Sequence, residues 1–180
     1  IFFGLIFLSG CFGCQCPAPL PKWNITDSEI SIYDMNSSPP DSGVITGDST
    51  NLVIEFFPEF VEVKFYNSFS LINSAYALSC VESGFEGLDD QVTNFIVISN
   101  SEFNEFEAGE SLNSIIEAPG GITIENWISG SQGWTYDYIN NSNLIIFEKP
   151  LNSQTHEFTI IIEFESGRII QSKSEEIQWN

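Results

Sequence analysis

The first cysteine of the chain follows a short apolar segment, and its surroundings favour chemistry at the thiol. Residues 1–8 are almost entirely apolar, and no charged residue precedes Lys22. Two small residues, Ser9 and Gly10, separate this segment from Cys11. An apolar core that ends in small residues is the pattern of a secretory signal peptide, and it is shorter than the ~20 residues that cross a bilayer. We therefore predict that the protein is exported.

The tetrapeptide Leu8-Ser9-Gly10-Cys11 resembles the lipobox of bacterial lipoproteins. The resemblance implies that Cys11 is lipidated, that the preceding peptide is removed and that the mature protein is anchored. The sequence has no initial Met and no basic leader, so we interpret residues 1–10 as a truncated signal peptide. Prolines keep a chain stiff and extended, so residues 11–21 are predicted to be a tether. Residues 22–180 are predicted to form one domain.

Three cysteines remain once Cys11 carries lipid, and an exported protein is free to form disulfides. We predict a disulfide between Cys16 and Cys80, or alternatively between Cys14 and Cys80, with the remaining thiol free. Either bond would staple the tether to the domain. A zinc site is disfavoured because Cys14 and Cys16 lack a second close pair and the chain has a single histidine.

Nucleophilic catalysis by a serine or a cysteine needs a histidine base, and the chain contains only His156. His156 is in phase with Phe158 and Ile160, which predicts a structural histidine at the rim of an apolar strand face. No Gly-x-Ser-x-Gly elbow accompanies it, and Gly120-Gly121 lacks the Lys and Ser or Thr of a phosphate-binding loop. We therefore predict that the protein is not an enzyme.

Carboxylates are too numerous to indicate a catalytic pair by themselves. Pairs such as Asp89-Asp90 and Glu175-Glu176 could serve glycoside hydrolysis, but that chemistry depends on a buried cleft and a defined spacing. Calcium is the more credible use of these acids, because hard cations take carboxylate and amide oxygens. The weak calcium candidates are Asp34, Asn36, Asp89 and Asp90. None matches an EF-hand loop, so ordinary turn residues are the favoured interpretation, and no cofactor is predicted.

Aromatic residues offer a different binding chemistry, since exposed rings stack on sugars and anchor protein partners. Trp134, Tyr136 and Tyr138 alternate, so a strand would place all three on one face. Trp127 shares the parity of polar neighbours and is predicted to face outward. We favour burial of the triplet in the core, whereas an outward triplet would indicate a binding surface.

The charge balance restricts the partners. Five Lys or Arg stand against twenty-five Asp or Glu, which gives a net charge of −20. This charge repels phosphate backbones and anionic lipid surfaces, so we predict no nucleic-acid partner. Attachment to the membrane would come from covalent lipid rather than from charge. The predicted partners are the membrane, through that lipid, and an unknown protein or glycan.

Apolar and polar residues alternate with a period of two through most of the rest of the chain. The strands that this alternation predicts must position the candidate site residues. Leu52, Ile54 and Phe56 form one predicted buried face, and alternate residues from His156 to Phe164 form another. Residues 91–99 and 143–148 are apolar on both faces, which is typical of central strands. Further strands are predicted over residues 25–33, 61–65, 75–81, 122–128, 134–139 and 168–179. Pro58 is predicted to end a strand, and Ser166-Gly167 to form a hairpin turn.

Short antiparallel strands at this spacing predict an all-β domain, an antiparallel β-sandwich of immunoglobulin-like type. Residues 101–117 depart from the alternation. Ser111 could cap a short helix there, with Leu112, Ile115 and Ile116 on one side. We predict a short helical connection that crosses one end of the sandwich.

Several motifs together resemble uncharacterised envelope lipoproteins of Bacteroidota. They are the lipobox, the Cys- and Pro-containing tether, Ser74-Ala-Tyr-Ala-Leu-Ser-Cys80, the strand from Val92 to Ser99, Ala108-Gly-Glu-Ser-Leu-Asn113, and Glu148-Lys-Pro150 before the Phe158-rich strand. The resemblance implies a β-rich domain in the envelope, with the outer membrane as its location, and brings no functional residue. Such lipoproteins often carry acidic residues after the cysteine when they face outward. Phe12-Gly-Cys-Gln15 departs from that signal and favours the periplasmic face.

These observations predict a non-catalytic cell-envelope lipoprotein that serves as a binding or structural accessory module. One alternative is a carbohydrate-binding lipoprotein of a glycan-uptake system, which an outward aromatic platform would favour. Another is an acid-dependent hydrolase, which a deep pocket with two carboxylates and one raised pKa would favour. An acidic surface with one apolar patch would favour a protein partner.

Overall fold

The computed structural model describes residues 22–34, 43–61, 86–140, 142–151 and 155–179. The strands in these ranges are β1 (Trp23–Asp34), β2 (Val44–Ile45), β3 (Thr50–Phe60), β4 (Val92–Ser99), β5 (Ile116–Ala118), β6 (Ile122–Thr123), β7 (Asn143–Ile146), β8 (Thr155–His156), β9 (Phe158–Phe164), β10 (Ile169–Lys173) and β11 (Ile177–Trp179). The helices are α1 (Ile124–Ser129) and α2 (Tyr136–Asn140), and 3₁₀ turns cover Asn113–Ile115 and Ser131–Gly133. Within the described ranges, neither helix has the length and apolar character that a bilayer crossing needs.

The described strands form three sheets. Their orders are β1-β3-β7-β5-β6, β10-β9-β4 and β2-β11-β8. Neighbouring strands run antiparallel except β2 and β11, which are parallel. The predicted all-β, sandwich-like arrangement of antiparallel sheets is thereby confirmed.

The long pair of β1 and β3 follows the predicted alternation. Leu52, Ile54 and Phe56 of β3 are buried in the core. The prediction that Pro58 ends this strand is wrong, because β3 continues through it to Phe60. Pro58 lies opposite Ile25, where the register of β1 shifts. A bulge tolerates the missing N–H of proline, which explains why the strand survives.

The buried face of β8 and β9 is also as predicted. His156, Phe158, Ile160, Ile162 and Phe164 are all buried, and β9 lies between β10 and β4. The predicted hairpin turn connects β9 to β10, with Gly167 in the left-handed region at a φ of 85°.

Strand β4 was predicted to be central but lies at the edge of its sheet. The edge is covered by the segment that precedes β5. Leu112 donates its N–H to the Val97 carbonyl at 2.8 Å, and the Asn113 side chain bonds the main chain of Val97 and Phe95. Trp127 of α1 packs on the Phe95 ring at 5.5 Å. These contacts cover the free edge of β4 and explain how an apolar strand is accommodated there.

Two predicted strands are helical. The region predicted as a strand over 122–128 forms the short β6 and then α1, in which Thr123 Oγ1 accepts the Asn126 N–H at 3.3 Å. Ile124 and Ile128 are four positions apart, a spacing that fits one helix face as well as one strand face. The region predicted as a strand over 134–139 contains α2.

The predicted helical connection is smaller than expected. Within residues 101–117 the helical part is the single 3₁₀ turn Asn113–Ile115, and its start has no side-chain cap. Ser111 instead forms a β-bridge with Ile98 of β4. Pairing with the sheet therefore replaces capping at this position.

Candidate functional site

A groove opens where the edge strands β1 and β10 separate. At one end, Ser172 Oγ donates to the Ser28 carbonyl at 2.6 Å, and the two serine hydroxyls lie 2.5 Å apart. The Arg168 guanidinium donates to the carbonyl of Ile25 nearby. Side chains from the β9–β10 hairpin thus close the outer edge of β1 as far as Ser28. Beyond this point lies a cavity of about 520 Å³, lined by Glu29, Ile30, Ser31, Ile32, Tyr33, Gly43, Lys173, Glu175, Glu176 and Ile177.

The wall of the groove opposite β1 follows Ser174, which continues the pairing of β10 with β9. The Ser174 N–H donates to the Phe158 carbonyl at 2.8 Å, and its Oγ accepts the Phe158 N–H at 2.9 Å. These two bonds hold Ser174 against β9 and bury its side chain. Glu175 and Glu176, which follow, stay exposed on the wall that faces β1.

The main chain of β1 presents an edge to the groove. The N–H and C=O groups of successive strand residues point to opposite edges. The backbone N–H and C=O of Ser28 point away from β3, because the N–H donates to Asp27 Oδ1 at 2.8 Å and the carbonyl accepts from Ser172. Ile30 and Ile32 have the same parity, so their N–H and C=O groups point into the groove. Their side chains, each 7% exposed, form part of its apolar floor.

The charge that lines the groove is predominantly negative. Glu29, Glu175 and Glu176 are exposed, and the one cation among the described lining residues is Lys173. Glu157 neutralises that ammonium at 2.7 Å. Glu29 also lies directly opposite Glu55 in the register of β1 and β3. Two like charges directly opposite each other on neighbouring strands destabilise a sheet. The groove is therefore acidic despite this local repulsion between Glu29 and Glu55.

A second exposed surface surrounds Phe147, which follows β7. Phe147 is 46% exposed and Leu151 is 87% exposed. Hollows of about 510 and 310 Å³ share Phe147 and Glu148 in their walls. Asn104, at a φ of 56°, holds this segment by accepting the Leu151 N–H at 2.7 Å. The walls of both hollows bring exposed apolar rings and chains together with several carboxylates.

His156 lies on the predicted apolar strand face, fully buried rather than at its rim, and the structure places a serine beside it. Ser99 Oγ lies 2.9 Å from His156 Nδ1, but the two residues are only 1% and 0% exposed. The rings of Phe103, Phe158 and Trp179 surround the imidazole at 5.3–6.3 Å. His156 Nε2 and Trp179 Nε1 are buried without a hydrogen-bond partner in the described structure. The pair is thus closed to solvent in the described structure.

The stability of the domain should fall as the pH drops below about 6.5. Burial lowers the pKa of His156, so the folded state binds its proton less readily than the unfolded chain. The stabilisation is complete above the unfolded pKa and is lost towards the lower folded pKa, at up to ~1.4 kcal/mol per pH unit. We expect His156→Phe to remove this dependence in urea unfolding at pH 7.0, 6.0 and 5.5. The same slope in the variant would contradict the assignment, since the chain has one histidine.

The four candidate binding aromatics do not form an exposed platform. Trp127 and Trp134 are 2% and 3% exposed, and their rings lie 4.4 Å apart in the core. Tyr136 packs edge-on against Trp23 at 5.5 Å, whereas Tyr138 is 45% exposed. The outward prediction for Trp127 is wrong because α1 turns its ring inward. The shared strand face is also wrong, since helical geometry in α2 sends alternate residues to different sides.

Two of the four candidate calcium ligands, Asp89 and Asp90, are engaged with other side chains and amides. Asp89 pairs with Lys22 at 3.3 Å, and Asp90 accepts bonds from the Ser166 amide and hydroxyl at 3.0 and 2.7 Å. Burial opposes ionisation of Asp90, but these bonds and the Arg168 charge outweigh it and lower the pKa. In the part of the chain that the structure describes, no three His, Cys, Asp or Glu residues are grouped to hold a metal. Asp34 ends β1, at a distance along the fold from this turn.

Several predictions lie outside the described residues. They concern lipidation at Cys11, the disulfide from Cys16 or Cys14 to Cys80, and Asn36 as a calcium ligand. The predicted strands over 61–65 and 75–81 also fall there, except for Val61. These remain predictions.

The groove was not predicted from the sequence, although a signal for it was present. Glu175-Glu176 was predicted only as a possible carboxylate pair. From Ile170 to Ser174 the buried positions are even-numbered, and from Ile177 to Trp179 they are odd-numbered. Glu175-Glu176 therefore lies where the alternation of buried residues shifts by one position. This shift follows the end of β10 and places both glutamates in the wall of the groove.

Comparisons of the chain with protein-family models, with curated proteins and with solved structures find no match.

Proposed function

We propose that the protein is a non-catalytic binding module, held in the cell envelope by lipid on Cys11. The observation that supports binding is the groove between β1 and residues 173–177. It combines three exposed glutamates with an edge of β1 that has no partner strand among the described residues, in a cavity of about 520 Å³. An accessible strand edge supplies main-chain affinity, and the side chains around it supply specificity.

The envelope location is supported by the sequence at the start of the chain. The apolar residues 1–8 and the Leu8-Ser9-Gly10-Cys11 motif favour export and lipidation. Firm anchoring takes more than one acyl chain, which a lipoprotein-type cysteine would supply. We propose the outer membrane as the location, with the domain on the periplasmic face.

The two alternatives have less support. Burial of Trp127 and Trp134 removes most of the platform on which carbohydrate binding was argued. A hydrolase would need carboxylates held in a dry cleft, whereas Glu29, Glu175 and Glu176 are exposed to solvent. The nucleophile-and-base geometry of Ser99 and His156 is closed to substrate.

The proposal is tested by site-specific cross-linking in the cells of origin. A photo-reactive amino acid replaces Ser31, an exposed residue of the groove, in the complete natural gene product. We expect one reproducible adduct with another envelope component, recovered from the membrane fraction. The same amino acid in place of Glu102, which is exposed and is not a lining residue of the groove, should give no such adduct.

The lipid is tested in the same cells with Cys11→Ala. Without the thiol there is no acylation, so the protein should leave the membrane fraction and its mass should lack the acyl chains. A Cys11→Ala protein that stays membrane-bound would contradict the anchor.

In the cross-linking experiment, equal adducts from positions 31 and 102 would contradict a binding role for the groove.

A further inference from the structure

We infer that the groove receives an extended, positively charged peptide segment of a partner protein, which adds to β1 as a further strand. The inference rests on the proposed binding function and names the chemistry of the partner. Strand addition is a recurring mode of peptide recognition, in which main-chain hydrogen bonds hold the peptide and flanking side chains select it.

The main chain of β1 sets the length and register of the added strand. Ile30 and Ile32 together offer two N–H donors and two C=O acceptors to the groove, by the parity that Ser28 establishes. The contact between Ser28 and Ser172 closes one end. Gly43 belongs to the lining beside Glu176, where a Cβ would lie 3.3 Å from the Glu176 carbonyl. The five lining residues of β1, Glu29 to Tyr33, span about 17 Å.

The two faces of the groove require different side chains from the peptide. Inward positions meet Ile30, Ile32 and Ile177, which are 7%, 7% and 3% exposed and present apolar surface. Outward positions meet the exposed carboxylates of Glu29, Glu175 and Glu176. Since strand side chains alternate between faces, the fitting segment alternates apolar residues with Lys or Arg.

Charge decides between the possible occupants. The chain carries a net charge of −20, and Glu157 neutralises the only cation among the described lining residues. Such a surface attracts basic segments and repels acidic or phosphorylated ones. A second copy of this chain would bring its own acidic charge to the groove, so edge-to-edge pairing of two copies is opposed.

The probe is a capped Lys-Val-Lys-Val-Lys peptide, titrated by calorimetry into the full-length protein in detergent. We expect saturable one-to-one binding, and none with Glu-Val-Glu-Val-Glu. The variant Glu29→Lys, Glu175→Lys, Glu176→Lys should lower the affinity by about 10- to 100-fold, as expected for three surface ion pairs. The matched control Glu86→Lys, Glu102→Lys, Glu165→Lys changes net charge equally at exposed sites outside the groove and should shift affinity less than ~3-fold.

Backbone pairing is tested by N-methylation of the probe. In an antiparallel addition the inward valines point their N–H groups at β1, whereas in a parallel addition the lysines do so. Methylation of one set should therefore abolish binding, and methylation of the other set should not. If both methylated peptides bind as well as the parent, strand addition is overturned even where charge reversal weakens binding.

Other outcomes separate this inference from the proposed function. If no basic peptide binds but the Ser31 adduct persists in cells, the peptide chemistry is overturned and the binding role stands. If sedimentation shows a dimer that the triple charge reversal disrupts, the occupant is a second copy, and the inference is overturned. If the two charge variants lost affinity equally, net charge alone would account for the weaker binding, and the inference would also be overturned.

Discussion

Gly87→Ala is expected to lower the free energy of unfolding by about 3–5 kcal/mol, measured by urea denaturation at pH 7. Gly87 is buried and has a φ of 100°, a conformation that side-chain-bearing residues rarely adopt. A Cβ built there would lie 2.1 Å from the carbonyl oxygen of Gln132, and the backbone would have to move to relieve the contact. The strain of the φ angle and the displacement of the Ser131–Gly133 turn both act against the folded state.

Gly109→Ala is the matched control for this prediction. Gly109 has a similar backbone angle, a φ of 83°, but a Cβ there would meet nothing within 4 Å. The backbone strain alone should cost about 1–2 kcal/mol. The difference between the two variants isolates the close approach of the two main chains, and equal losses would contradict it.

The position of Gly87 explains why a small change there has a large effect. Its carbonyl accepts the Trp23 N–H at 3.1 Å, and the Asp89 N–H donates to the Trp23 carbonyl at 2.9 Å. Leu88 between them forms a parallel bridge with Trp23. The segment thus fastens the first residue of β1 to the turn that precedes α2, and a shift at Gly87 disturbs both.

Strands with one face in the core were predictable from the sequence. The alternation of Leu52, Ile54 and Phe56, and that from His156 to Phe164, matches their burial. One-sided burial imposes a period of two, so the pattern and the structure have the same physical cause. The prediction that Pro58 ends its strand was wrong because the effect of a proline on pairing depends on the partner strand. Here β1 has a bulge opposite Pro58.

The helical segments could not be separated from strands by pattern alone. Ile124 and Ile128 satisfy both periods, and α1 and α2 have only six and five residues. Such short helices owe their stability to tertiary packing rather than to propensity. Here that packing is the burial of Trp127 against Trp134 and Phe95, contacts that no local pattern contains.

The groove depends on an edge of β1 that has no partner strand in the described part of the chain, and such an absence leaves no pattern in the sequence. The alternation of apolar residues in a strand predicts which face is buried, but it does not predict which edge lacks a neighbouring strand. Ser172 closes the edge of β1 at Ser28, and no hydrogen bond from a described residue closes it at Ile30 or Ile32. The closing contact joins residues 144 positions apart, so no local pattern contains it.

Trp23→Ala is expected to lower the free energy of unfolding by about 3–5 kcal/mol, enough to remove much of the stability of a typical domain. Trp23 is 0% exposed, and its indole fills the space between β1 and α2, edge-on to Tyr136 at 5.5 Å. Its Nε1–H donates to the Trp134 carbonyl at 2.8 Å, so the truncation leaves both a cavity and a buried acceptor without its donor. Urea denaturation followed by far-UV circular dichroism measures the loss.

Trp23→Phe separates these two contributions. Phenylalanine keeps most of the buried apolar volume but cannot donate to the Trp134 carbonyl, so we expect a smaller loss of about 1–3 kcal/mol. Tyr138→Ala, at a 45% exposed position of α2, should change stability by less than about 1 kcal/mol. If Trp23→Ala cost no more than Tyr138→Ala, the tryptophan could not be the link between β1 and α2. The close approach at Gly87 would then have to hold the same corner alone, and Gly87→Ala would become the more destructive of the two substitutions.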